Sequence, residues 1–397
     1  MKKPPLTLKR LVWATAAFTL ALALTWGWLT PAPAPVALSP QAQLGQRLFH
    51  DPSLSASGKL SCAGCHDPSA AHAPANDLPT QMGGPQMDQM GQRSTPSLRY
   101  LSFTPAFGLD AQGKPSGGFF WDGRANSLQA QAIGPLLHPK EMANDNAAAL
   151  VQRLSQGPHA RLFEEVFGAH LWQQPQAALE AVALALARYQ SEDPQFQPFD
   201  SLFDAFLRGQ ATLSPAQARG WALFKDPQKG NCAACHTADL GPDGRHPLFT
   251  DHSYDNLGVP RNPKLIPTQA PGSHDLGLCA RPDGTLRQRT DLCGAFKVPT
   301  LRNVATKRVF FHNGQFNSLS EVLHFYVERD THPERWYPLR ANGQVERFND
   351  LPKRWHPHVN QSEVPYDRAL GAAPALNAAE VEDVLAFLTT LTDGYRP

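Results

Sequence analysis

Apolar and polar residues alternate in few places along this chain, and the period that recurs is helical. At residues 377–391 an Asn leads, Glu380 follows three positions on, and Val381, Val384, Leu385 and Leu388 share one face. That pattern is a capped amphipathic helix. An Ala- and Leu-rich run over 175–189 predicts another, and residues 319–326 a third. Ser39-Pro40 and Ser214-Pro215 each put a hydroxyl cap ahead of a first-turn proline, so each starts a helix. Strand-like alternation is scarce, and 37 prolines punctuate the 397 residues. The predicted class is all-α, with short helices joined by long loops. Such loops lack an apolar core of their own, and a buried prosthetic group can supply one.

The longest apolar run is residues 11–29, preceded by Lys2, Lys3, Lys9 and Arg10. It reads as a signal peptide or as an uncleaved signal anchor in the membrane, followed by a Pro-rich linker over 31–40. The chain is therefore expected to be exported to the periplasm. Net charge is +1, so no strong field points to nucleic acid.

Cys62-Ala63-Gly64-Cys65-His66 recurs as Cys232-Ala233-Ala234-Cys235-His236. In C-x-x-C-H the thiols become thioethers to haem vinyl groups and the histidine supplies the proximal iron ligand. The rival readings are a redox C-x-x-C pair or half of a zinc site. A redox pair needs no His after the second Cys, and the βαβ pattern that would accompany it is absent. Two covalently bound c-type haems are expected, which agrees with export, because bacterial c-haem is attached outside the cytoplasmic membrane. Of the six cysteines, Cys279 and Cys293 remain. In an oxidising compartment they are expected to form a disulfide closing their loop, with free thiols as the alternative.

The two haem motifs sit in a repeat. Gly45, Leu48, Phe49, Asp51 and Pro52 match Gly220, Leu223, Phe224, Asp226 and Pro227 at one offset. Pro96, Leu98 and Arg99 match Pro299, Leu301 and Arg302. Phe119-Phe120-Trp121-Asp122-Gly123 matches Phe310-Phe311-His312-Asn313-Gly314, and both continue to Asn-Ser-Leu. We therefore expect a signal segment and linker over 1–38, then two tandem cytochrome c-like domains, 39–205 and 206–397, with one haem each. The third match separates the halves. Fourteen residues after His312 comes Tyr326, and fourteen after Trp121 comes Pro135. Tyr can ligate iron and Pro cannot, so one haem is expected to be six-coordinate and the other open. The alternative for Tyr326 is a core aromatic. No methionine lies in the second half, so Met from its own domain cannot ligate that haem.

These residues resemble the bacterial di-haem cytochrome c peroxidase superfamily, and within it the MauG-like branch. The likeness runs from about Gln41 to Tyr395. It is carried by residues 119–125, Gly134-Pro135-Leu136, Glu141-Met142, residues 296–303 and Phe311-His312-Asn313-Gly314. The resemblance implies that His66 is the proximal ligand of a peroxidatic haem and His236 that of an electron-transfer haem. It makes Trp121 the relay between them, and Gln131 and Glu141 the lining of the distal pocket. Ordinary members carry Met where Tyr326 stands. They also carry a distal His after the first motif, where the loop 71–91 has only His72, close to the motif, and Met82 or Gly83 at the expected place. The family's inter-haem Ca²⁺ takes an Asn side chain and two carbonyls. Here those positions are Ser94, Lys307 and Val309; backbone oxygens survive substitution but losing the amide oxygen weakens a hard-cation site, so Ca²⁺ between the haems is left open, present or absent.

Peroxide heterolysis needs a base that takes a proton from one oxygen and returns it to the other. Glu141 suits that role, its alternative being a helix N-terminal carboxylate after Pro139, and Gln131 could orient H₂O₂. The leading reading is a periplasmic MauG-like di-haem peroxidase whose high-valent di-haem state oxidises a partner protein. The alternatives are a conventional peroxidase with cytochrome c as donor and a non-catalytic electron carrier. Arg329, Asp330, Arg335, Trp336, Tyr337, Arg347, Arg354, Trp355 and Tyr366, in residues 328–366, are expected to serve haem-propionate contacts and packing, the alternative being a protein interface. Asp255, Asn256 and Arg261 lie in a loop expected near the second haem.

Overall fold

The Ser39 hydroxyl accepts a hydrogen bond from the Ala42 N–H, and helix α1, Pro40–Phe49, starts there. The computed structural model describes Met1 and residues 37–396 apart from Pro242, Gln269 and Pro271, so the apolar run 11–29 lies outside the described residues. Helix α2 is Leu128–Leu137, capped by Ser127, with Pro135 inside it. Helix α3, Pro175–Glu192, runs three residues further than its sequence pattern. Helix α4, Pro215–Lys225, carries a capping box between Ser214 and Gln217. Helix α5 is Leu319–Glu328, capped by Ser318. Helix α6, Ala378–Thr389, has the Asn377–Glu380 capping box. Further helices span Ala147–Gln156, Ala160–Phe167 and Leu202–Leu207.

The fold is mostly helical, with little strand among the described residues. Three antiparallel ribbons pair Met82–Gly83 with Gln89–Met90, Gly108–Leu109 with Pro115–Ser116, and Tyr254–Asp255 with Phe296–Lys297. Strands of two residues are too short to show any alternation in the sequence.

The repeat has a packing counterpart. Gly45 brings α1 onto α3 so closely that a Cβ there would meet the Ala185 carbonyl oxygen at 2.0 Å. Its match Gly220 does the same for α4 on α6, where a Cβ would meet the Asp383 oxygen at 1.8 Å. One apolar cluster draws on residues from Leu44 to Phe196, including Phe49, Leu150, Phe163, Leu186 and Tyr189. A second draws on residues from Phe203 to Leu391, including Phe224, Phe249, Phe325 and Phe387. Gly220→Ala pushes a methyl into backbone rather than into a flexible side chain. Overpacking of this kind costs about 1–3 kcal/mol, so the urea midpoint is expected to fall with the slope unchanged. An unchanged midpoint would mean the α4–α6 pair relaxes freely.

Polar ties cross between the two clusters. Ser94 N–H donates to the His312 carbonyl at 2.7 Å, and Lys297 N–H to that of Trp121 at 2.9 Å. Arg93 pairs with Asp122 and Asp275, and the Tyr100 hydroxyl donates to Asp393 at 2.6 Å. Cys279 and Cys293 are joined by a disulfide with Cα atoms 4.9 Å apart.

Candidate active site: two cavities around one tryptophan

The four remaining cysteines are unpaired, and they face two cavities. One, of about 470 Å³, is lined by Cys62, Cys65, His66, Gln131, Pro135 and Glu141. The other, of about 200 Å³, is lined by Cys232, Cys235, His236, His312, Tyr326 and Tyr366. Cys62 and Cys65 sit on the single helical turn Cys62–Cys65, and Cys232 begins a matching 3₁₀ turn, Cys232–Ala234. Burial pushes all four thiols up to about 12. Redox and thiolate-metal cysteines need the opposite shift, so both rival readings of the C-x-x-C pairs lose ground.

Each adjacent histidine is oriented by a backbone carbonyl. His66 Nδ1 lies 3.3 Å from the His72 oxygen, and His236 Nδ1 2.9 Å from that of Phe249. An Nδ1–H donated to a carbonyl leaves Nε2 as the free lone pair, the arrangement metal-bound histidines adopt. Burial holds both rings below their ordinary value, His66 at about 4. They are therefore neutral, the form that ligates. Buried thiols in pairs beside a neutral imidazole, each set facing a cavity, suit a covalently held haem.

Above the first cavity, α2 presents Gln131 and, one turn later, Pro135 on the same face. Glu141 sits in a turn, not at a helix N-terminus as its alternative reading had it. The turn is held by the Gly84 N–H, which donates to the Glu141 carbonyl at 2.9 Å. Gly83 packs so tightly there that a Cβ would meet the Lys140 oxygen at 2.4 Å. The Glu141 side chain lines the cavity and is 43 % exposed; burial raises its carboxyl, and Arg124 opposes that. His138 Nδ1 is 3.8 Å from Glu141 Oε1. His72 is fully buried, with its ring 4.1 Å from that of Phe196, and does not line the cavity. The loop 71–91 supplies Gln81, Met82 and Gly91 to the lining, but no histidine.

In the second cavity Tyr326 lies on α5, its ring centroid 5.9 Å from that of Phe311 and 6.0 Å from that of Tyr366. Burial raises the Tyr326 phenol, with Asp255 adding to the shift. A phenolate there therefore needs a cation beside it. His312, which matches Trp121 in the repeat, stacks on Phe296 at 3.5 Å.

Trp121 lines both cavities, and its Nε1–H donates to the Ser94 carbonyl at 2.8 Å. Two lysines to whose side chains the sequence reading gave no role share this position. Lys297 and Lys307 also line both cavities. Burial pushes Lys297 down to about 7 and Lys307 to about 8, and Lys297 Nζ donates to the Gly118 oxygen at 2.5 Å. A lysine set in the apolar run Phe296-Lys297-Val298-Pro299 was the available signal. Asp255 and Asn256 reach the second cavity, whereas Arg261 does not line it. The arginines of the 328–366 region turn to packing. Fully buried Arg329 pairs with Asp330, donates to the Leu257 and Asn360 carbonyls, and lies 4.3 Å over the Tyr366 ring. Of that region's named residues, Tyr366 lines the cavity, while Arg329, Arg335, Arg347, Trp336 and Trp355 do not.

Residues 39–212 match the family described as di-haem cytochrome c peroxidase. Over 361 residues the chain is 36% identical to the methylamine utilization protein MauG of Paracoccus denitrificans, covering 89% of this chain and 88% of that protein. It is 30% identical to a cytochrome c551 peroxidase of Nitrosomonas europaea, over 71% of each. Among solved structures it superposes on the diheme peroxidase BthA from Burkholderia thailandensis with a TM-score of 0.82 and 37% identity, covering 93% of this chain and 88% of that one.

Proposed function

The chain belongs to the di-haem cytochrome c peroxidase family as a MauG-like di-haem peroxidase, and from that premise we propose that it uses H₂O₂ to oxidise a partner protein in the periplasm. Family membership implies two c-type haems. We assign one to Cys62, Cys65 and His66 and the other to Cys232, Cys235 and His236. The domain boundary falls near residue 205, a division supported by the separate apolar clusters on either side. The run 11–29 would export the chain and, if uncleaved, anchor it.

The observation that carries this reading is the asymmetry of the cavities. Tyr326 stands in one, Pro135 at the matching place in the other, and Trp121 borders both. Bound haem supplies the redox centre that cleaves the peroxide O–O bond and holds the oxidising equivalents. Around it the chain handles protons and position. The Glu141 carboxylate takes a proton from one peroxide oxygen and returns it to the other. Gln131 offers an amide to orient the peroxide without titrating. Tyr326, which lines the second cavity, would hold the iron of the haem bound there, and Trp121, which lines both, would carry electrons between them. Surface Trp and Tyr of the partner are the sites we expect to be oxidised.

The test is EPR of the ferric protein, followed by stoichiometric H₂O₂. One high-spin and one low-spin haem, then a long-lived near-infrared band without pre-reduction, is the expected result. Two low-spin haems would defeat it. The likeness to a cytochrome c551 peroxidase favours a second reading, with cytochrome c as donor. In that case peroxide turnover would wait for reduction and depend on cytochrome c. Calcium is left out of this proposal. Ser94 offers a hydroxyl where an amide oxygen is expected.

A further inference from the structure

Lys307 is a cation without a counter-charge. Lys307 is half-buried and lines both cavities, and among the described residues its ammonium has neither a hydrogen-bond nor an ion-pair partner. Lys297, the other lysine bordering both cavities, is engaged with the Gly118 oxygen. The Lys307 charge is felt at His66, where it acts in the same direction as the dominant effect of burial. A half-buried ammonium between two apolar cavities is stabilised when an anion faces it.

The same residue would have to offer its carbonyl to calcium, together with the Val309 carbonyl and the Ser94 hydroxyl. Calcium takes six to eight oxygens and favours carboxylates. Ser94 already spends its backbone elsewhere, its N–H on the His312 carbonyl and its own carbonyl on Trp121 Nε1. The donor set is therefore poor, and a fixed positive charge stands beside it. Like charges at such a spot disfavour a divalent ion in proportion to its charge.

We propose that the Lys307 ammonium takes the place of the divalent cation between the two cavities, facing haem carboxylates, and that this chain works without calcium. The proposal rests on the di-haem reading. Its test uses the full-length holoprotein, with haem content checked by the pyridine haemochrome spectrum. Calcium is measured by elemental analysis before and after dialysis against EGTA, alongside ferric EPR and thermal melting. No retained calcium, and EPR lines and a melting midpoint unmoved by the chelator, are the expected results. Lys307→Met should shift the EPR lines and lower the midpoint, and Lys307→Arg should restore both. Stoichiometric calcium in a protein with two haems overturns this proposal alone, as does a Lys307→Met protein indistinguishable from the parent. Fewer than two haems per chain overturns the di-haem assignment and this proposal with it.

Discussion

Glu141→Gln is expected to slow the reaction with H₂O₂ by roughly 10²–10⁴-fold, the usual contribution of a positioned general base. Gln keeps the shape and the hydrogen bonding of the side chain and removes its ability to take a proton. The turn around Glu141 is fixed by backbone, with the Gly84 N–H on its carbonyl and Gly83 packed beneath it. The substitution should therefore leave the site's geometry intact. The pH profile separates chemistry from structure. The active form is the carboxylate, and burial raises its pKa. The rate should then fall as pH drops through a midpoint above the ordinary Glu value of about 4.3. Stopped-flow traces across pH should show that acidic limb in the parent and lose it in the Gln variant. A Gln variant that keeps both rate and limb would remove Glu141 from the chemistry.

The second large effect is expected at the other cavity. Tyr326→Phe keeps the ring, its packing near Phe311 and Tyr366, and the helix that carries it. It removes one oxygen. If that oxygen is the sixth ligand, the low-spin EPR signal of one haem is lost and a second high-spin signal takes its place. The potential of that haem should rise, by on the order of 0.1 V out of the roughly 0.8 V that axial ligands command. Tyr326 is protonated when no cation faces it, because burial and the neighbouring carboxylate both oppose its ionisation. Ligation and deprotonation must therefore come together, and an unchanged spectrum would discard both.

What could be read from sequence was local. Ser39, Ser214 and Asn377 cap their helices through partners three residues away, within reach of a short window. The C-x-x-C-H motifs are local too, and the repeat showed that Pro135 and Tyr326 occupy matching places. Ties across long separations stayed hidden. Arg93 joins Asp122 and Asp275, 29 and 182 positions away, and no pattern along the chain marks that. Lysines usually sit in water, so Lys297 and Lys307 gave little reason to be placed against two cavities. For Arg329 the sequence offered two roles, propionate contact and packing, and could not show how its donors are spent. An arginine near an expected haem suggests a carboxylate contact, but this one is fully buried and spends its donors on main-chain oxygens and Asp330.

The contact between Trp121 and the Ser94 carbonyl bears on how charge would travel. An indole that surrenders an electron becomes far more acidic and, beside a basic side chain, would shed its nitrogen proton. A main-chain oxygen accepts a hydrogen bond but is too weak a base to keep the proton. The oxidised ring would hold its proton in place, and the next electron could refill it without waiting for one to come back.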